Sequence, residues 1–147
     1  LVKNFYRSAR DIAAKRGGAL VKSLGDAVML AFSNPLSALK AGADFIRSFD
    51  GSSEEAPFSV RVTVNAGPCL AVNLNSAIDY FGSPVNATAK LQKFAGAGHL
   101  AVTTPIVGDA AVRAFLSERN IALGQPQSAD LPGIGNVDYW ILKVKKR

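Results

Sequence analysis

Two short stretches of the 147-residue chain carry side chains whose types and spacing could do chemistry. The first is Gly18-Ala19-Leu20-Val21-Lys22-Ser23-Leu24-Gly25-Asp26, where the apolar runs 19–24 and 27–32 meet at Gly25-Asp26. Gly at the first of two loop positions suits a type II′ hairpin turn. An acid at the tip of such a hairpin stands outside the sheet and can hold a hard cation, or it can be a plain turn residue. The second stretch runs from Asp79-Tyr80-Phe81-Gly82 through Ser83-Pro84 to Leu91. Ser83-Pro84 starts a helix, and Asn86 and Lys90, four residues apart, project from one face of it. A helix start also favours anions. Taken singly, Asn86 reads equally as a surface amide and Lys90 as a solvated charge.

Composition excludes several other chemistries. One histidine, His99, rules out His–His metal pairs, and a Ser-His-Asp triad would have to be built on it alone. One cysteine, Cys69, rules out an internal disulfide and any zinc site made of several thiolates. Hydrophobic residues make up 48% and charged residues 19%, which fits one globular domain. No apolar run reaches the ~18 residues of a membrane span. Ten of the seventeen Lys and Arg residues lie in 1–22 and 143–147 with a single acid, Asp11. Basic ends can mark a nucleic-acid or membrane footprint, or a solvated helix face and tail. No secretory signal pattern follows Leu1, so a cytoplasmic location is expected. The first residue is not Met, and the chain reads as a fragment or processed product.

The elements that must position these residues follow from periodicity. Val2, Phe5, Tyr6, Ala9, Ile12 and Ala13 give a helix over 2–16, stopped by Gly17-Gly18. A hairpin follows over 19–32. Asn34-Pro35 then caps a second helix whose stripe is Leu36, Leu39, Ala43, Ile46 and Phe49. Residues 50–57 read as a surface loop. Phe58, Val60, Val62 and Val64 alternate with polar residues as a half-buried strand over 58–65. Gly67-Pro68 is read as its turn into a second apolar run, Cys69–Leu74. A third helix spans about 84–95 and a short strand Leu100–Thr103. A fourth helix runs from Thr104-Pro105 to about 118, with Val107, Ala110, Ala111, Ala114 and Phe115 inward. The last strand, 137–144, contains Trp140. Strand pairs alternating with helices predict an α+β fold, and a ferredoxin-like (βαββαβ) core sheet fits if one strand precedes Leu1. Cys69 and Trp140 are expected in the core and His99 in a loop.

Taken together, the two chemical stretches resemble the class III nucleotidyl cyclase catalytic domain, the adenylate/guanylate cyclase family. The pattern is matched by Gly17-Gly18, Lys22, Gly25-Asp26, Pro35 with Ala38, Arg61 with Gly67, and Asp79 through Lys90. It covers residues 1 to about 144, so 1–147 is expected to be one such domain, truncated before its first strand. The resemblance implies an adenylate cyclase acting on ATP with Mg²⁺ (or Mn²⁺) to give cyclic AMP and pyrophosphate. Asp26 would be one of two carboxylates on a metal pair. Lys22 and Asp79 would read the base, since a donor and an acceptor match adenine N1 and N6. Asn86 would orient the ribose, and Lys90 would stabilise charge on the α-phosphate. Family members build the site across a dimer, which implies a homodimer here, and a fused regulatory domain in the native protein. No nucleic-acid partner is implied.

Four positions depart from the family pattern. The second metal-binding Asp belongs to a strand upstream of Leu1, and Asp11 sits mid-helix. Lys90 replaces an Arg and lacks its planar fork. Thr63 stands where the strand has Gly. Residues 131–135, Leu-Pro-Gly-Ile-Gly, hold no phosphate-contacting Lys. These departures leave a second expectation open, a catalytically degenerate cyclase-homology module for regulation or dimerisation. A nucleic-acid-binding module, suggested only by the basic ends, lacks interleaved aromatics.

Overall fold

In the computed structural model, which describes residues 2–24, 27–49, 60–68, 70–74 and 77–144, the chain opens with helix α1 (Val2–Lys15). Its apolar side packs on helix α2 (Pro35–Ser48) through three phenylalanines. The Phe5 ring lies 5.2 Å from that of Phe45 and 5.6 Å from that of Phe49. Asn34 caps α2 as its sequence predicts, its side-chain oxygen accepting from the Ser37 N–H at 2.9 Å. The end of α1 is tied to α2 by charge as well. Arg16 donates to both oxygens of Asp44, at 2.7 and 3.2 Å, and Arg47 lies 3.5 Å from the same carboxylate. This bidentate pair lifts the Arg16 guanidinium above its ordinary range. It also fixes the point from which the chain enters β1.

Strands β1 (Ala19–Leu24) and β2 (Ala27–Ala31) form the expected antiparallel ribbon. The main sheet has four strands in the order β3 (Val62–Val64), β6 (His99–Thr103), β8 (Gly135–Lys143), β7 (Gln127–Leu131). β3 runs parallel to β6, and the other neighbours are antiparallel. A second ribbon pairs β4 (Leu70–Leu74) with β5 (Ala77–Phe81). The pairing at 58–74 therefore differs from the sequence reading. Gly67-Pro68 does not turn β3 back on β4; β3 joins β6, and β4 finds its partner in β5. Of the expected strand over 58–65, residues 58 and 59, like the 50–57 loop and Cys69, lie outside the described residues. β5 and β7 are additional strands, and His99 begins β6 where a loop was expected.

Alternation along the sheet sorts the core into two layers. Leu100 and Val102 face one side with Val64 and α2, and Ala101 faces the other. The second side carries helix α3 (Ser83–Leu91), continued by a 3-10 turn over Gln92–Phe94. Leu91 is fully buried there against the β7–β8 half of the sheet, a burial of about 2 kcal/mol. The predicted fourth helix is two, α4 (Thr104–Val107) and α5 (Ala110–Glu118). Asp109 caps the second by accepting from the Val112 N–H at 3.1 Å. The break re-phases the helix: Ile106, Val107, Val112 and Leu116 are buried, while Ala110, Ala111 and Ala114, expected inward, face solvent. Among the described residues, no helix is long and apolar enough to cross a membrane.

Candidate active site

Lys22 reaches its position through an irregularity in β1. Leu20 pairs with Leu30, but Lys22 pairs with Met29, so Val21 is an extra residue in the ladder. Strict alternation would put Lys22 on the core-facing side with Leu20. The bulge turns it to the other face, a known use of such insertions. The 19–24 run alone gives no sign of this bulge.

On that face Lys22 meets Asp79, 57 residues away on β5. The ammonium lies 3.1 Å from each carboxylate oxygen. Asp79 is aimed by its own chain: one oxygen accepts the Tyr80 N–H at 2.7 Å. That backbone bond first, and the Lys22 bond second, hold the Asp79 carboxyl below its ordinary range. At neutral pH it is an ionised group that accepts hydrogen bonds and donates none. Phe81, two residues on and 47% exposed, places its ring 5.7 Å from the Lys22 ammonium. This contact was not read from the sequence.

Gly82 then turns the chain from β5 into α3 at φ +146°, a backbone region open essentially to glycine. Asn86 and Lys90 both face solvent on α3, as their spacing predicts. Among the described residues neither bonds to the Lys22–Asp79 pair. Lys90 instead donates to the Pro132 carbonyl in the β7–β8 turn, the segment that lacks the family's lysine.

α3 is fastened at both ends to the polar positions of its side of the sheet. Near its start, the Asn65 amide donates to the Pro84 carbonyl at 3.1 Å while its oxygen accepts from Thr103 at 2.6 Å. Past its end, Gln92 accepts from Thr63 at 2.8 Å and donates to the Arg61 carbonyl at 2.9 Å. Thr63, where the family pattern has glycine, is thus bonded to the helix that it faces. Sequence reasoning singled out Thr63 only as a departure from the family pattern and read none of these partnerships; the alternation of polar Thr63 and Asn65 with apolar neighbours is the signal that could have found them.

Asp26, the expected metal ligand, lies outside the described residues. Among the described residues, no group of three or more His, Cys, Asp or Glu side chains comes together. Asp11 is an exposed residue of α1.

A family model described as the adenylate and guanylate cyclase catalytic domain matches residues 1–144. The uncharacterized protein Rv2212 of Mycobacterium tuberculosis (strain H37Rv) is 35% identical over 100 residues, which is 68% of this chain and 25% of that protein. An uncharacterized protein of Mycobacterium bovis, Mb2235, matches to the same extent. The chain thus spans a quarter of the length of the curated relatives it matches. Among solved structures, the guanylyl cyclase Cya2 is similar with a TM-score of 0.80 over 96% of this chain and 78% of that one, at 16% identity. A structure of adenylate cyclases from Trypanosoma brucei in their monomeric state gives 0.76 over 97% and 77%, at 17% identity.

Proposed function

The chain belongs to the adenylate and guanylate cyclase catalytic-domain family, and from that premise we propose that it acts on ATP, forming 3′,5′-cyclic AMP and pyrophosphate. In this reaction the 3′-oxygen of the ribose bonds to the α-phosphorus, the bond from that phosphorus to the bridging oxygen breaks, and the hydroxyl proton is lost. The observation that carries the choice of ATP is the Lys22–Asp79 pair. Lys22 only donates and the ionised Asp79 only accepts. Together they complement an adenine edge, acceptor at N1 and donor at N6. A guanine in the same pose turns its N1–H toward the ammonium and its O6 toward the carboxylate, and both contacts repel.

Asn86 and Lys90, exposed on the helix that follows, supply the groups for the ribose and the α-phosphate. A divalent cation, Mg²⁺ or Mn²⁺, is the cofactor the family implies, with Asp26 as its candidate ligand in this chain. Of the family's pair of metal carboxylates, Asp26 is the one that this sequence matches. A homodimer would place the metal carboxylate of one copy beside the base-reading pair of the other. The greater length of the relatives supports a fused regulatory domain.

The test is cyclic-nucleotide production by the full native polypeptide from ATP and from GTP, with Mg²⁺ or Mn²⁺. A strong preference for ATP is expected, and Asp79→Asn, whose amide can present either a donor or an acceptor, should reduce it by about tenfold. Preference for GTP in the native protein would overturn the base-reading assignment. The degenerate-module reading keeps one specific support: the Lys90 ammonium is already bonded to the Pro132 carbonyl. ATP binding without turnover would favour it.

A further inference from the structure

The side of the sheet beneath α3 is unusually polar at β3 and β6. By alternation, Thr63, Asn65, Ala101 and Thr103 share it. Thr103 is 1% exposed, so its hydroxyl needs a partner, and Asn65 is that partner. The amide of Asn65 spans two groups that have nothing else in common: the Thr103 hydroxyl at the end of β6 and the Pro84 carbonyl in the first turn of α3. Pro84 O can only accept, so the NH₂ must face it, and the remaining oxygen must receive the Thr103 proton. An amide satisfies both at once, whereas a carboxylate can only accept. The same proline is pressed from below, because a Cβ on Gly67 would lie 2.5 Å from its Cγ. An apolar seat would let the helix slide; this one fixes its start to hydrogen-bond tolerance.

We infer that Asn65, held by Thr103, is a positioning residue that sets where α3 begins and thereby where Asn86, two residues after Pro84, presents its side chain. It touches no substrate; it acts through the helix. This deepens the cyclase reading and rests on it for the kinetic consequence, though not for the seating of α3.

Asn65→Asp is the sharpest variant, since it keeps the shape and turns a carboxylate oxygen onto the Pro84 carbonyl. Thr103→Val attacks the same link from the other end with Asn65 intact, and Thr103→Ser should restore it. Amide hydrogen exchange and kinetics are measured on the full native polypeptide at about pH 8, where a carboxyl is ionised. Exchange across Asn86–Leu91 should quicken by about tenfold in Asn65→Asp and Thr103→Val, while β6 and β8 stay unchanged. In an active protein kcat should fall by about tenfold, with KM for the nucleotide within about twofold, because Lys22 and Asp79 are untouched. Unchanged exchange in α3 would overturn the inference, as would loosening spread evenly over sheet and helix, or a Thr103→Ser no better than Thr103→Val. If the native protein makes no cyclic nucleotide, the cyclase reading falls by itself, and the exchange pattern still decides whether Asn65 seats the helix.

Discussion

Lys22 and Asp79 meet between two two-stranded ribbons, whereas Asn86 and Lys90 ride on a helix bonded at both ends to a four-stranded sheet. Two-stranded ribbons have little stability of their own. The link between them is a half-exposed ion pair with an exposed ring beside it, the kind of contact that solvent screens. The α3 seat is the opposite: Ala87 and Leu91 are buried, and amide and hydroxyl groups on the sheet bond to the backbone and to Gln92. The difference matches the two tasks proposed for them. A base-reading pair must give up some of its mutual contact to engage a purine, so a loosely braced pair suits it. Groups that act on a ribose and a phosphate gain from fixed placement, since small displacements are costly there.

The contrast predicts that damage on the two sides divides between kcat and KM. The largest effect belongs to the fastened side. Asn86→Ala should lower kcat by about 100-fold and leave KM within about threefold, the signature of a contact made chiefly in the transition state. Steady-state kinetics with ATP checks this, and an equal rise in KM would erase the proposed division. Next comes Lys22→Ala. It removes a charged hydrogen-bond donor from the proposed base-reading pair and should raise KM for ATP by about 30-fold with a smaller change in kcat. The fold should tolerate it, because the ribbons do not depend on one screened ion pair; thermal melting beside the kinetics tests that. A smaller effect tests the seat alone. Gly67→Ala drives a methyl to 2.5 Å from Pro84 Cγ. It should cost about 1–3 kcal/mol in chemical denaturation, as overpacking does. An unchanged stability would mean that α3 can shift without loss.

The same two regions explain what could be read from the chain. The Lys22 and Asp79 pairing was legible only through the family resemblance, because β5, the strand that carries Asp79, was not read. α1, α2 and the first ribbon were legible from local periodicity, with Gly17-Gly18 and Asn34-Pro35 marking their ends. What failed was long-range pairing. Gly67-Pro68 looks like a hairpin turn, yet its glycine serves close approach to Pro84, and the partner of β3 is the distant β6, reached by a crossover. β7 was missed because Gln127, Ser128 and Asp130 face solvent and only Ala129 and Leu131 are buried, too few apolar residues for a strand signal. The bulge at Val21 left no trace in composition, although it decides which way Lys22 points. Asn65 and Thr103 were invisible as a pair because each is an ordinary strand-end residue until the topology brings them together.

The smallest expected effect is a null one, and it bears on the base selection proposed for Asp79. Its carboxyl is held below the ordinary carboxylate range, first by the Tyr80 N–H and then by Lys22. A lowered folded-state value means that the pair's contribution is fully present above the unfolded value of about 3.9 and is lost only as pH falls through the lower folded one. Asp79 therefore stays an acceptor throughout the range in which the protein can be assayed. The ratio of kcat/KM for ATP to that for GTP should be the same, within about twofold, at pH of about 5.5 and about 8. General acid–base steps can change each rate over this window, but they cancel in the ratio when the two nucleotides share the chemistry. A ratio that collapses toward the acidic end would mean that Asp79 gains a proton once a base displaces Lys22. Discrimination would then come from the opened pair and not from the paired one seen in the structure.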